Sequence, residues 1–264
     1  MPKPQMREKK KPKQACKHRS MNEIGGVGMI DCHSHILPGM DDGSRSTEES
    51  IQMLRMEHEQ GVSAVILTPH YYAEQESIES FLHRRAACYL KLSSRMQQLT
   101  SAGEQLPGIH TGAEVRYFPR MALTEDIEKL CIQGTNHMLI EMPFDTWSEG
   151  VFRDLEILET SGIRPVIAHI ERFIKFQKHT ENIKHLLEME LLIQSNTSFF
   201  TERVSRRTAI RMLKNGMIDL IATDCHRAKG GRVPDMAQAL EYIEKKLGKA
   251  AAELLRENGW RLLK

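Results

Sequence analysis

From residue 29 onward the chain alternates short apolar runs with longer amphipathic stretches. The runs are GMIDCHSH (28–35), VSAVILTPH (62–70), GIHTGAEV (108–115), HMLIEMP (137–143), RPVIAHI (164–170), ELLIQSN (190–196) and IDLIATDCH (218–226). Each has strand length, and segments such as AVIL and DLIAT are apolar almost throughout, as strands buried on both faces are. Between them, apolar positions recur at helical spacing over 46–61, 77–100, 148–161, 180–189, 202–215, 234–246 and 250–263. Ser46 is placed to cap the first helix, with Glu49 closing a capping box and Gly61 ending it. Seven strands, mostly followed by helices, predict a parallel α/β protein with one domain over 29–264. A closed barrel and an open doubly wound sheet both satisfy this pattern.

Six of the seven predicted strands end in residues able to ligate a metal or hold a ligand. In chain order these are His33 and His35, His70, Glu114, Glu141, His169, and Asp224 with His226; the remaining strand ends at Asn196. Active sites of parallel α/β folds form at the carboxyl ends of strands, so these side chains converge. Residues two apart on a strand share a face, which pairs His33 with His35 and Asp224 with His226. By the same alternation Cys32 and Cys225 are expected on the outer face of the sheet, as small apolar residues. Asp42, in the loop GMDDGS, adds a fourth carboxylate. Four carboxylates gathered without cations would raise one another's pKa values, and bound divalent metal removes that penalty. The pattern therefore predicts a multinuclear metal site. The remaining histidines, at 18, 58, 83, 110, 137, 179 and 185, are read as structural or surface residues.

Charge and cysteine content narrow the chemistry. The net charge is +2, but residues 1–28 hold eight Lys/Arg and two Glu, a charge of +6, leaving 2 − 6 = −4 for the rest. Residues 1–28 read as a basic, disordered extension without the apolar core of a signal peptide. A weak tether to acidic lipid and an upstream extension before a natural start at Met29 are the other readings. The acidic remainder argues against a nucleic-acid face. No apolar run approaches the length of a transmembrane segment. The five cysteines, at 16, 32, 88, 131 and 225, show no C-x-x-C spacing, which suggests free thiols in a reducing compartment. None has an arginine six residues on, since those positions are Asn22, Pro38, Ser94, His137 and Gly231. The C-x5-R loop of cysteine-dependent phosphatases is thus absent, and so is a G-x-x-x-x-G-K-[ST] phosphate loop.

The motifs HSHILPGMDDG, TPH, GAE, IEM, AHIER, and TDCH followed by GGRVP closely resemble the PHP (polymerase and histidinol phosphatase) superfamily. Within it, the chain is similar to the bacterial manganese-dependent protein-tyrosine phosphatases of capsular and exopolysaccharide loci, from Met29 to near the C-terminus. The resemblance implies a distorted (β/α)7 barrel and three divalent metal ions, Mn2+ in this family, although the nitrogen and oxygen ligands also suit Fe, Zn or Co. It assigns His33, His35, Glu114 and Asp224 to the first ion. Glu114, Glu141 and His169 fall to the second, and Asp42, His70 and His226 to the third. Arg172 and Arg232 match family arginines near the phosphate.

Three divalent ions would outweigh the four carboxylates and leave a cationic centre that attracts a phosphate monoester. The implied activity is hydrolysis of phosphotyrosine by a metal-activated hydroxide. The implied partner is a tyrosine-phosphorylated protein, a polysaccharide-export tyrosine kinase, with no nucleic acid. The implied location is the cytoplasm, at the inner face of the membrane through that substrate. The alternative activity is that of a small-molecule phosphomonoesterase such as histidinol phosphatase.

Overall fold

The computed structural model describes residues 28–177 and 180–264. The basic extension expected over 1–28 lies, apart from Gly28, outside the described residues, as do His18 and His179. In chain order the elements are β1 (Met29–Ser34), α1 (Thr47–Glu59), β2 (Val62–Leu67), β3 (His70–Tyr71), α2 (Ile78–Ser101), β4 (Gly108–Thr111) and β5 (Glu114–Arg116). There follow β6 (His137–Glu141), α3 (Glu149–Thr160), β7 (Arg164–Ile167), α4 (Thr180–Glu188), β8 (Leu192–Asn196) and α5 (Thr197–Thr201). The chain closes with α6 (Arg206–Lys214), β9 (Leu220–Ala222), α7 (Met236–Leu247) and α8 (Lys249–Arg261).

All strand pairings are parallel, in the orders β1-β2-β4 and β3-β5-β6-β7-β8-β9. Seven expected runs become nine strands because two of them break side by side. VSAVILTPH breaks at Thr68-Pro69, where Pro69 has no N–H to give a ladder. GIHTGAEV breaks at Gly112-Ala113, where a Cβ on Gly112 would lie 3.3 Å from Cγ2 of Thr68. Pairing resumes beyond the break with His70 beside Glu114. The end of β1 is bonded on both sides. Thr68 donates to the Ser34 carbonyl at 2.9 Å, while Asp224 donates to that of His33 (2.8 Å) and His35 to that of Cys225 (2.9 Å).

Apart from β4, the strands are buried almost throughout, which explains their apolar runs. A large apolar cluster lies between strands and helices, including Val65, Leu67, Ile140, Ile167 and Ile193. Alternate strand residues form a smaller cluster with Ile30, Ile66, Leu139, Val166, Ala168 and Ala222, against which Leu262, Trp260 and Leu263 pack. Cys225 belongs to the large cluster but Cys32 to the small one, so the expectation that both sit on the outer face is corrected. The reason is a register shift in β1 between Asp31 and Ser34, which interrupts strict alternation at Cys32-His33.

Two helix details also differ from expectation. Ser46 does cap α1, accepting from Glu49 N at 3.2 Å, but the Glu49 carboxylate accepts from Arg45 N at 2.9 Å, so the box closes one residue early. The helix expected over 202–215 starts only at Arg206, as α6, and the short α5 ends before it, because Glu202 is extended (φ −71°, ψ 134°) and the Ser205 hydroxyl donates back to the Phe199 carbonyl at 2.9 Å. Among the described residues, no helix is long and apolar enough to cross a membrane.

Candidate metal centre

The expected ligands meet at the carboxyl ends of the strands. The focus is Oε2 of Glu114, at the start of β5. His33 Nε2 lies 3.2 Å from it, His35 Nε2 3.1 Å and His70 Nδ1 3.0 Å, while His169 Nε2 lies 2.7 Å from the other carboxylate oxygen. Asp224 Oδ1 is 3.6 Å from His33 Nε2 and 3.3 Å from His35 Nε2. Glu141 is 3.8 Å from His169. Asp42 reaches His226 Nε2 at 3.2 Å and His70 Nε2 at 3.7 Å. All nine expected residues therefore join one continuous cluster, and among them only Asp42 is exposed.

Residues close enough to share an ion form overlapping sets: His33, His35 and Glu114; His35, Asp42, His70 and His226; His70, Glu114 and Glu141; and His33, His169 and Asp224. These shared members follow from the side-by-side breaks in the sheet, which set His70 against Glu114. Two of the ligands have left-handed backbone, His169 at φ 27° and Asp224 at φ 52°. Arg232 at φ 59° joins them. Non-glycine residues in that region cost free energy, and such strain collects at functional sites.

The hydrogen bonds behind the rings decide which nitrogens face inward. His35 Nδ1 meets Asp41 at 2.7 Å and His226 Nδ1 meets the Asp224 carbonyl at 2.9 Å, so each Nδ1 donates its proton outward. His33 Nδ1 donates to Gln194 Oε1 at 3.2 Å. In the neutral rings each Nε2 then presents a lone pair to the centre, where His33 Nε2 and His35 Nε2 stand only 3.2 Å apart. His70 Nδ1, Glu114 Oε2 and His226 Nε2 are buried without a hydrogen-bond partner. Lone pairs and carboxylate oxygens converging in a buried space repel unless a cation lies among them, so the residues fit divalent metal.

The titration behaviour agrees. Burial pushes His169 down to about 4. Burial and the His35 charge push His226 down to about 3. Both are neutral imidazoles at neutral pH, the metal-binding form. Burial opposes charge on His33 and His35 too, but Glu114 and Asp224 beside His33, and Asp41 beside His35, outweigh it and raise both. Glu114 and Asp224 are held well below the usual carboxylate range by these histidines, against the effect of burial. Glu141 is raised, by burial and then by the Glu114 charge. Protons on His33 and His35 thus compensate two carboxylates, and a divalent cation would displace them.

Arg172 and Arg232 reach the cluster, each on one carboxylate oxygen of Asp224, Arg232 at 2.5 Å. Several supporting residues escape a reading of strand ends. Asp41, rather than its neighbour Asp42, orients His35, and it also accepts from His70 N at 2.9 Å. Gln194 holds both His33 and His169 N (2.8 Å), and Asn196 donates to Asp224 at 2.8 Å. Asp41 stands beside a named ligand in the same loop, which is the one sequence signal that could have found it.

Fold and site together define a class: parallel α/β proteins whose strand ends gather histidines and carboxylates into a site for divalent cations. Residues 29–264 match the family described as capsular polysaccharide synthesis, CpsB/CapC, and the chain belongs to that family. The tyrosine-protein phosphatase YwqE of Bacillus subtilis is 32% identical over 246 residues, covering 89% of this chain and 92% of that protein. The tyrosine-protein phosphatase CpsB of Streptococcus pneumoniae is 31% identical over 242 residues, covering 87% of this chain and 96% of that protein. A solved chain from the structures of YwqE and CpsB, described as unique metal-dependent tyrosine phosphatases, superposes with a TM-score of 0.77 at 28% identity, covering 89% of this chain and 94% of that one.

Proposed function

We propose that this protein is a metal-dependent protein-tyrosine phosphatase acting on a tyrosine-phosphorylated protein of capsule or exopolysaccharide synthesis, a polysaccharide-export tyrosine kinase, in the cytoplasm. Family membership and the relatives' activity support this. The single observation that carries it is the convergence of ring nitrogens of His33, His35 and His70 on Glu114 Oε2. The finer architecture is a distorted (β/α)7 barrel in one domain over 29–264. It is supported by the bonds from β1 to the segment after β9, which bring the first and last strands together.

His33, His35, Asp42, His70, Glu114, Glu141, His169, Asp224 and His226 would hold the metals, three Mn2+ on this reading. Bound divalent cations supply a water of lowered pKa and offset the charge of the phosphate. The chain's own residues do the rest. Asp41, Gln194 and the Asp224 carbonyl fix the rings of His33, His35 and His226, so that their lone pairs stay aimed inward. Arg172 and Arg232, both held at Asp224 beside the cluster, would bond the phosphoryl oxygens, where charge grows as the ester bond breaks. Tyr72, stacked on His70 with ring centroids 5.1 Å apart, flanks the place where an aryl group would lie. Tyrosine, with a pKa of about 10, leaves as its anion far more readily than a serine alkoxide.

The test compares a phosphotyrosine peptide with histidinol phosphate on metal-loaded enzyme. Faster turnover of the peptide is expected. Faster turnover of histidinol phosphate would replace this reading with that of a small-molecule phosphomonoesterase.

A further inference from the structure

Away from the metal centre, a concavity lies between α6 and α7. It has a volume of about 430 Å³ and is lined by Arg206, Arg207, Ile210, Tyr242, Lys245 and Lys246. A neighbouring cavity shares Arg206, Tyr242 and Lys245 and adds Phe200 and Thr201 of α5, with Glu241 as its one acid. Over 203–214 the chain carries Arg203, Arg206, Arg207, Arg211 and Lys214 and no acidic residue. Arg207, Lys245 and Lys246 make no ion pair among the described residues. Half-buried Tyr242 organises the cleft, with the Arg206 guanidinium 5.2 Å and the Lys246 ammonium 5.8 Å from its ring centroid. Uncompensated like charges around one hollow repel, and an anion relieves them.

The cleft connects to the metal centre by a short path. Asn196, bonded to Asp224, begins α5, and Phe200 and Thr201 at the other end of α5 line the second cavity. Thr201 is also held by Asp235, at 3.2 Å, just before α7.

We propose that this cleft is an anion-binding exosite for a phosphoryl-bearing or acidic segment of the substrate protein, separate from the tyrosine being hydrolysed. The proposal rests on the phosphatase reading. Guanidinium groups suit phosphoryl oxygens, which they bond in pairs. A concave cleft with its aromatic ring half-buried inside suits a polypeptide better than a lipid surface. Among the described residues of α5, α6, α7 and the turn between α5 and α6, Val204 is the one exposed large apolar side chain, at 91%, and membrane seating scales with buried apolar area.

The test uses the full chain, a singly phosphorylated tyrosine peptide, and a second peptide whose two phosphotyrosines are about ten residues apart and span roughly 33 Å when extended. The expected result is a kcat/KM about tenfold higher for the doubly phosphorylated peptide, an advantage that fades with salt. The double variant Arg207→Glu/Lys245→Glu, and independently Lys246→Glu, should lose that advantage while hydrolysing a small aryl phosphate at the wild-type rate. Fluorescence anisotropy of the labelled doubly phosphorylated peptide on chelator-treated protein should show binding weakened about tenfold by the charge reversal. Unchanged binding and an unchanged peptide preference in both variants would overturn the exosite. So would loss of binding to phosphatidylglycerol vesicles with peptide turnover intact. A wild-type protein that hydrolyses no phosphotyrosine would instead sink the phosphatase reading, while the anisotropy arm still judges the cleft.

Discussion

Two buried polar clusters lie within a few residues of each other, and on composition alone either could hold a metal. One is the strand-end cluster around Glu114. The other is Asp31, Glu57 and Cys225, all buried. They differ in how their hydrogen bonds close. Asp31 accepts from Thr223 N at 2.9 Å and from the Thr223 hydroxyl at 2.5 Å, while the Cys225 thiol points at Glu57 from 3.7 Å. Burial, then the Asp31 charge, raises Glu57 well above the usual carboxylate range, so it is protonated and donates to Asp31. Burial likewise raises the Cys225 thiol, which stays unionised. A protonated carboxyl and an unionised thiol keep the charge of this second cluster low, and it ties α1 and β1 to the segment after β9. In the first cluster the Nδ1 protons of His33, His35 and His226 point outward and their Nε2 atoms point in, where a divalent cation would replace the protons on His33 and His35. A metal centre is thus recognised by several ring nitrogens converging on one carboxylate, and a set of ligating residue types is not enough.

That contrast predicts graded effects. Alanine at His35 or Asp224 should cut metal-dependent turnover of a phosphotyrosine peptide by about a thousandfold, on the scale of losing a main electrostatic contact, while circular dichroism shows a folded chain. Asp41→Asn removes the charge behind His35 and should cost about 10- to 100-fold in metal affinity, read by competition with a chelating dye. Glu57→Gln should leave turnover within about threefold and act on stability instead. Because the folded pKa of Glu57 is raised, its contribution is fully present below the unfolded value of about 4.3 and is lost as pH climbs toward the folded value. The Tm of the wild-type protein without metal should therefore fall more steeply from about pH 5 to pH 8 than that of the Gln variant. Cys225→Ala should have the smallest effect, about 1 kcal/mol in urea unfolding, because only a small apolar contact is lost. Large activity losses at Glu57 or Cys225 would erase the distinction between the clusters.

Strand ends were legible because fully buried parallel strands read as apolar runs, and polar residues closing such runs stand out. His33, His70, Glu114, His169 and Asp224 were all visible in that way. Less legible were features set by contacts between strands. The breaks at Pro69 and Gly112 put His70 against Glu114, so that the candidate ligand sets overlap. The register shift in β1 moved Cys32 to the small cluster, which period-2 alternation could not foresee. Asp31 sits in the first predicted strand, GMIDCHSH, yet its role depends on Thr223 and Glu57, distant in sequence. Asp41 and Gln194 likewise act through partners that only the folded chain supplies.

The most direct test titrates Mn2+ into chelator-stripped protein, following bound metal by elemental analysis alongside phosphotyrosine hydrolysis. The stripped protein should be inactive, with activity rising as metal binds and levelling when the cluster is full. Full activity from protein holding no stoichiometric transition ion would contradict the account.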